Sequence, residues 1–189
     1  MQEAAVYQDM LTKMTVELSN QMSEVPVTRL YERPGPQQNS VGWNYWHMLR
    51  IWDYWLNHMI GGEDPSRDAW HRHDFSTRSG YNPDGTGARE AGLGMGQTDD
   101  EVDEVRVEWE LLMDYQRVLL EESIAFLDNV RDENAFERAI PTPANPSQTI
   151  SVRDICQQMI RQGWMHYGEM RYAKGMIGFP DVTYPGRAT

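Results

Sequence analysis

Gln158-Met-Ile-Arg-Gln-Gly-Trp-Met-His-Tyr-Gly-Glu-Met170 lies within a strongly helical segment that runs from Ser151 to Ile177. Read as a helix, the segment puts Ile155, Met159, Met170, Ala173 and Ile177 on one series of three- and four-residue steps, which marks a face turned to a core. Gln162 and His166 fall in the same series. One turn apart on that seam, they project polar atoms side by side into a core that otherwise reads as apolar. A buried polar group costs free energy unless it is hydrogen-bonded or metal-bound, so the pair demands partners or a ligand.

Three further segments share the helical period. From Gln2 to Ser23, the residues Tyr7, Leu11, Met14, Leu18 and Met22 form an apolar stripe among polar neighbours, and Val25-Pro26 ends this first helix. Ser40 is a suitable N-cap for a second helix running to about Ile60, stopped by Gly61-Gly62. Trp43, His47, Ile51 and Tyr54 share one of its faces, and Tyr45, Met48, Trp52, Trp55 and Met59 cover another. Such a helix is buried on several sides, either centrally in a bundle or against a second subunit. Thr98-Asp-Asp-Glu101 supplies a capping box for a third helix, whose series Val102, Val105, Trp109, Leu112, Gln116, Leu119, Ser123, Phe126, Val130 predicts continuity to about Arg131. Pro141-Thr-Pro-Ala-Asn-Pro146 is a turn-forming break, Ser151 with Asp154 caps the fourth helix, and Gly178 and Pro180 close it.

Strand signals are scarce and repeats absent, so four amphipathic helices predict an all-α fold, a four-helix bundle in a single domain over residues 1–189. Between Gly61 and Thr98 the helical period disappears and glycine becomes frequent. The aromatic and charged residues there (Trp70, His71, His73, Phe75, Arg78, Tyr81) are richer than a flexible linker carries, which predicts a glycine-rich loop packed over one end of the bundle.

A net charge of -12 and the lack of any basic run argue against a nucleic-acid partner. No run of about 18 apolar residues occurs, so no membrane span is expected. The single cysteine, Cys156, and the absence of a signal-like N-terminus fit a reducing, cytoplasmic setting.

Periodicity turns His47, Gln162 and His166 inward from two helices. Two imidazoles and one further donor are the minimum for a protein metal site that keeps an open position. A lone histidine on a bundle face is more often a hydrogen-bonded core residue, so the spacing leaves both readings open. Glu169, three residues after His166, is placed either to orient that imidazole or to make a salt bridge. Arg50 could hold an anion, although an exposed helix arginine is commoner. His71 and His73 share a side only in an extended segment, His58 suits a helix end, Asp53 suits an interhelical pair, and Cys156 reads as a small buried hydrophobe.

These residues also resemble a family. Asn44-Tyr-Trp-His-Met-Leu-Arg-Ile-Trp-Asp-Tyr-Trp55 is similar to the helix-two signature of the DinB/YfiT-like metalloenzymes, in which a tryptophan-histidine pair precedes an acidic-aromatic cluster. Gln162-Gly-Trp-Met-His-Tyr-Gly-Glu169 resembles their helix-four pattern, and the Ile-Gly-Phe-Pro ending at Pro180 and the middle loop around Arg78-Ser-Gly-Tyr-Asn-Pro83 are similar too. The resemblance implies up-down-down-up helix order, homodimers, and a divalent metal, zinc or nickel, held by three side chains. Because mycothiol-dependent maleylpyruvate isomerase and bacillithiol transferase belong to this superfamily, it also implies a low-molecular-weight thiol and a small-molecule substrate. His47 and His166 match its ligand positions, while Gln162 stands where the pattern has His or Glu. An amide is a weaker donor than either, lacking imidazole basicity and carboxylate charge. Two functions are therefore expected: a metal-dependent enzyme, thiol-dependent transferase or hydrolase, with His47, Gln162 and His166 at the metal; or a non-catalytic dimeric stress-response or ligand-binding protein in which the three form a polar network.

Overall fold

The computed structural model describes residues 2–62, 64 and 67–180. The two ends of the domain read over 1–189, and three positions of the 61–98 segment, lie outside them. Four long helices dominate: α1 (Gln2–Ser23), α2 (Val41–Asp53, continued by a π-helical stretch Tyr54–Ile60), α6 (Trp109–Asn129) and α7 (Val152–Met176). Short helices α3 (Ala69–Arg72), α4 (Phe75–Ser79) and α5 (Asp99–Glu104) lie between α2 and α6. The protein is mainly helical, as its periodicity predicts. None of the described helices is long and apolar enough to cross a membrane.

The expected caps are in place. Ser40 Oγ accepts from Trp43 N at 3.1 Å, and both capping boxes, Thr98 with Glu101 and Ser151 with Asp154, are closed in each direction. The apolar stripe of α1 is buried along its whole length, packed on α6 and α7, while α2 packs on α7 and α6. α1 and α7 approach so closely at Gly163 that a Cβ there would collide with the Met14 sulfur. Every residue of α2 is buried within one chain, so no second subunit is needed to cover it. The 67–97 segment does much of that covering. Its Trp70 and Phe75 are fully buried and pack on Tyr115 of α6 at ring distances of 5.2 and 4.9 Å, each contributing about 2–3 kcal/mol of transfer free energy.

The third helix departs from its prediction. Rather than one element from Thr98 to Arg131, the chain forms α5, leaves the helix at Val105 and resumes at Trp109. In Val105-Arg-Val-Glu108 both valines are fully buried and Arg106 and Glu108 exposed, the period of an extended segment. Tyr31 fastens it: the phenol accepts from Val107 N at 2.9 Å and donates to Val107 O at 2.7 Å. The break at Pro141–Pro146 also holds more than a turn. Antiparallel strands β1 (Ala139–Thr142) and β2 (Asn145–Ser151) pair across it, a small addition to the all-α expectation.

Candidate functional site

His47 and His166 meet at the α2–α7 interface. Their ring centroids are 5.0 Å apart with planes at 85°, edge to face, and both residues are buried, at 8% and 5% exposure. Trp43, one turn before His47, stacks on its ring at 4.8 Å. The Nδ1 atoms are spoken for. His47 Nδ1 bonds the Leu93 carbonyl, and His166 Nδ1 lies 2.7 Å from Glu169 Oε2. A carbonyl can only accept, so His47 carries its proton on Nδ1. Burial, reinforced by the nearby His166 charge and opposed by the Leu93 bond, pushes the His47 pKa down to about 4. The ring is thus neutral at physiological pH with its lone pair on Nε2. Neither Nε2 makes a hydrogen bond among the described residues.

Gln162 sits one turn before His166, half-buried, and no hydrogen bond among the described residues links its side chain to either histidine. Nor are three His, Cys, Asp or Glu side chains of the described residues grouped to hold a metal ion. Each imidazole is nonetheless oriented by an acceptor on Nδ1, as metal-bound histidines usually are, and neither Nε2 is bonded among the described residues. Gln162 is the remaining donor of the expected set.

Over this pair lies the 67–97 segment, held by a buried ionic cluster that the sequence does not announce. Asp53 accepts from Ala69 N at 3.0 Å, Trp70 N at 2.9 Å, Asn57 Nδ2 at 2.8 Å and Tyr115 Oη at 2.5 Å. Arg50 reaches Asp68 at 2.8 Å, Asp53 at 3.4 Å and Tyr115 at 3.2 Å, and its Nε donates to Gly92 O at 3.3 Å. Burial raises the Asp53 pKa, the neighbouring Asp68 charge adds to this, and Arg50 works against it. Arg50 is therefore neither exposed nor open to an anionic substrate; it ties α2 to the backbone beside Leu93. Gly94 permits the close approach. Its φ is +92°, and a Cβ would lie 2.8 Å from His47 Nδ1 and 3.0 Å from the Trp43 and Trp46 rings.

The other candidates stand apart. His71 faces Asp68 and Asp84, at 2.7 and 3.1 Å, and His73 lies 3.7 Å from Glu122, so the two do not converge. His58 stacks on Tyr54 near the end of the π-helical stretch. Cys156 is buried, and burial pushes its thiol up to about 12, which suits a packing residue. The Leu93 carbonyl, Asp68 and Tyr115 escape sequence reasoning, although the run Gly92-Leu-Gly94 signals a backbone that must pass close to something.

The sequence pattern of the DinB superfamily matches residues 10–170. The chain belongs to the DinB superfamily. A crystal structure of a conserved protein from Enterococcus faecalis is similar over 92% of this chain and 95% of that one, at a TM-score of 0.75 and 20% identity, which supports a shared fold. No curated protein matches.

Proposed function

We propose that this DinB-superfamily protein is a metal-dependent enzyme acting on a small molecule, with His47, His166 and Gln162 at a divalent zinc or nickel ion. The four long helices serve as the superfamily's bundle in up-down-down-up order, working as a homodimer in the cytoplasm. One observation carries the reading: two buried imidazoles in edge-to-face contact, each with Nδ1 engaged by an acceptor and with no partner for Nε2 among the described residues. A bound divalent cation supplies Lewis acidity, lowering the pKa of a thiol or water so that a nucleophile exists at neutral pH. The chain's own part is positional. Leu93 O and Glu169 fix the rings, Trp43 blocks one face of His47, and the segment anchored by Arg50 and Asp53 keeps bulk water from that side. Thiol-dependent transfer is the reaction class we favour, with a low-molecular-weight thiol as co-substrate.

Calorimetric titration of chelator-treated, untagged protein with zinc and nickel tests this. Wild type should bind one ion per chain, and His47→Ala and His166→Ala should each weaken binding by about 100-fold or more. Equal binding by all three proteins overturns the assignment. The second reading, a non-catalytic protein, draws on the bond between His47 and Leu93, which fastens a loop whether or not metal is present. Under it, both substitutions lower thermal stability equally with and without added metal.

A further inference from the structure

Beside the histidine pair lies a cavity of about 490 Å³, between α2, α7 and the chain around residues 34–39. Asn44 and Glu169 both line it, three residues before His47 and three after His166, so the cavity sits one turn along the same α2–α7 seam. Gln38, Asn39 and Tyr172 add polar groups, and Met165 an apolar wall.

Asn44 is only 5% exposed. Its amide nitrogen donates to Ser40 O at 3.0 Å, but its carbonyl Oδ1 has no hydrogen-bond partner among the described residues. Among the described residues the fully buried side-chain polar atom without a partner is Trp46 Nε1, so Asn44 Oδ1 keeps access to the cavity, where a donor held there can reach it. Glu169 uses Oε2 for His166 and, among the described residues, leaves Oε1 without a bond on a half-exposed side chain. No cation is found among the described lining residues. The arginine on the same loop, Arg33, is spent on the Pro36 and Gln38 carbonyls and on Asp99. The amides of Gln38 and Asn39 and the Tyr172 phenol can donate as well as accept, so the charge preference of the wall comes from the Glu169 carboxylate with no cation among the described lining residues to offset it.

We infer that this cavity is a binding subsite for an organic ammonium group, a primary amine whose N–H donors are taken up by Asn44 and Glu169 while its carbon skeleton packs on Met165 and Tyr172. An ammonium brings three donors and a positive charge to a surface that has acceptors and a negative one. A role in holding substrate rests on the catalytic reading of the histidine pair; the binding itself does not.

Three probes with nearly one skeleton separate charge from shape: 3-phenylpropylamine, 3-phenylpropan-1-ol and 3-phenylpropanoate, titrated into chelator-treated, metal-free protein and followed by amide chemical shifts. The amine should bind at least about tenfold more tightly than the alcohol or the carboxylate, with shift changes centred on residues 38–44 and 165–172. Glu169→Gln should bring the amine down to the alcohol's affinity, and Asn44→Leu should weaken both. Because Glu169 is half-exposed, its variant keeps the test valid even if the Asn44 variant folds poorly. Equal binding of amine and carboxylate, amine binding unchanged in Glu169→Gln, shifts centred elsewhere, or no binding of any probe overturns the inference. Failure of metal binding would leave these titrations standing, and their failure would leave the metal assignment standing.

Discussion

At the residue scale, His47 is the most constrained side chain of the site. Trp43 stacks on it, His166 meets its edge, and the Leu93 carbonyl takes its Nδ1 proton. Its pKa falls to about 4 in the fold against an ordinary value near 6.5 in the unfolded chain. At pH 7 neither state is protonated and the residue is neutral to stability. As pH falls below about 6.5 the unfolded chain takes up a proton that the folded one refuses, so stability drops until pH reaches the folded pKa near 4. The metal-free protein should lose about 2–3 kcal/mol across that window through this residue, measurable by urea denaturation at stepped pH. His47→Gln should show a correspondingly shallower decline; an unchanged slope would place the acid sensitivity elsewhere. Gln162 gives a prediction of opposite sign. Replacing its amide by a carboxylate restores charge at the expected ligand position, so Gln162→Glu should raise zinc affinity by about tenfold or more. A fall in affinity would show that Gln162 faces away from the ion.

Among the elements, the 67–97 segment is set by single buried charges. Asp53 takes the Ala69 and Trp70 amides that open α3, and Arg50 holds the other end at Gly92. Asp53→Ala leaves those amides unpaired and Arg50 with less counter-charge, and should cost about 3–5 kcal/mol. Hydrogen exchange should quicken across residues 67–97 before it does in α1; uniform loss of protection would contradict an anchoring role. Gly94→Ala should act on the same segment by steric means, since its Cβ would press on the His47 ring. It should cost about 1–3 kcal/mol and weaken metal binding, as seen in melting temperature and zinc titration together.

The same elements show what residue patterns carry and what they do not. α1 and α7 begin and end within about a residue of their predicted bounds, because stripe and cap agree there. Val105 and Trp109 also fit a helical series, yet Val105-Arg-Val-Glu108 alternates, and the Tyr31 phenol decides for the extended form. The hairpin is masked by Pro141 and Pro146, which read as breakers, although both sit in edge strands that tolerate them. For the site, periodicity is enough to bring His47 and His166 inward. It cannot find Leu93, which acts through its backbone, or the Asn44 carbonyl that opens on the cavity, which appears only once α7 lies alongside.

For the whole molecule, helices α1, α2, α6 and α7 contact one another in a closed ring, and the histidine pair sits on the α2–α7 seam with the 67–97 segment against it. One turn of that seam holds the imidazoles and the next holds the acceptor-lined cavity, so the proposed metal centre and the proposed ammonium subsite lie in series. Membership of the DinB superfamily and the likeness to the Enterococcus faecalis protein fix the frame in which this seam sits. We place a divalent metal ion between the two buried histidines of this frame. An anomalous-difference map from crystals of untagged protein grown with zinc, measured on both sides of the zinc edge, tests it most directly. One strong peak is expected about 2.0–2.1 Å from a nitrogen of each imidazole, on the Nε2 side of His47 and His166. A map with no peak there, or with zinc bound only at surface carboxylates, would contradict it.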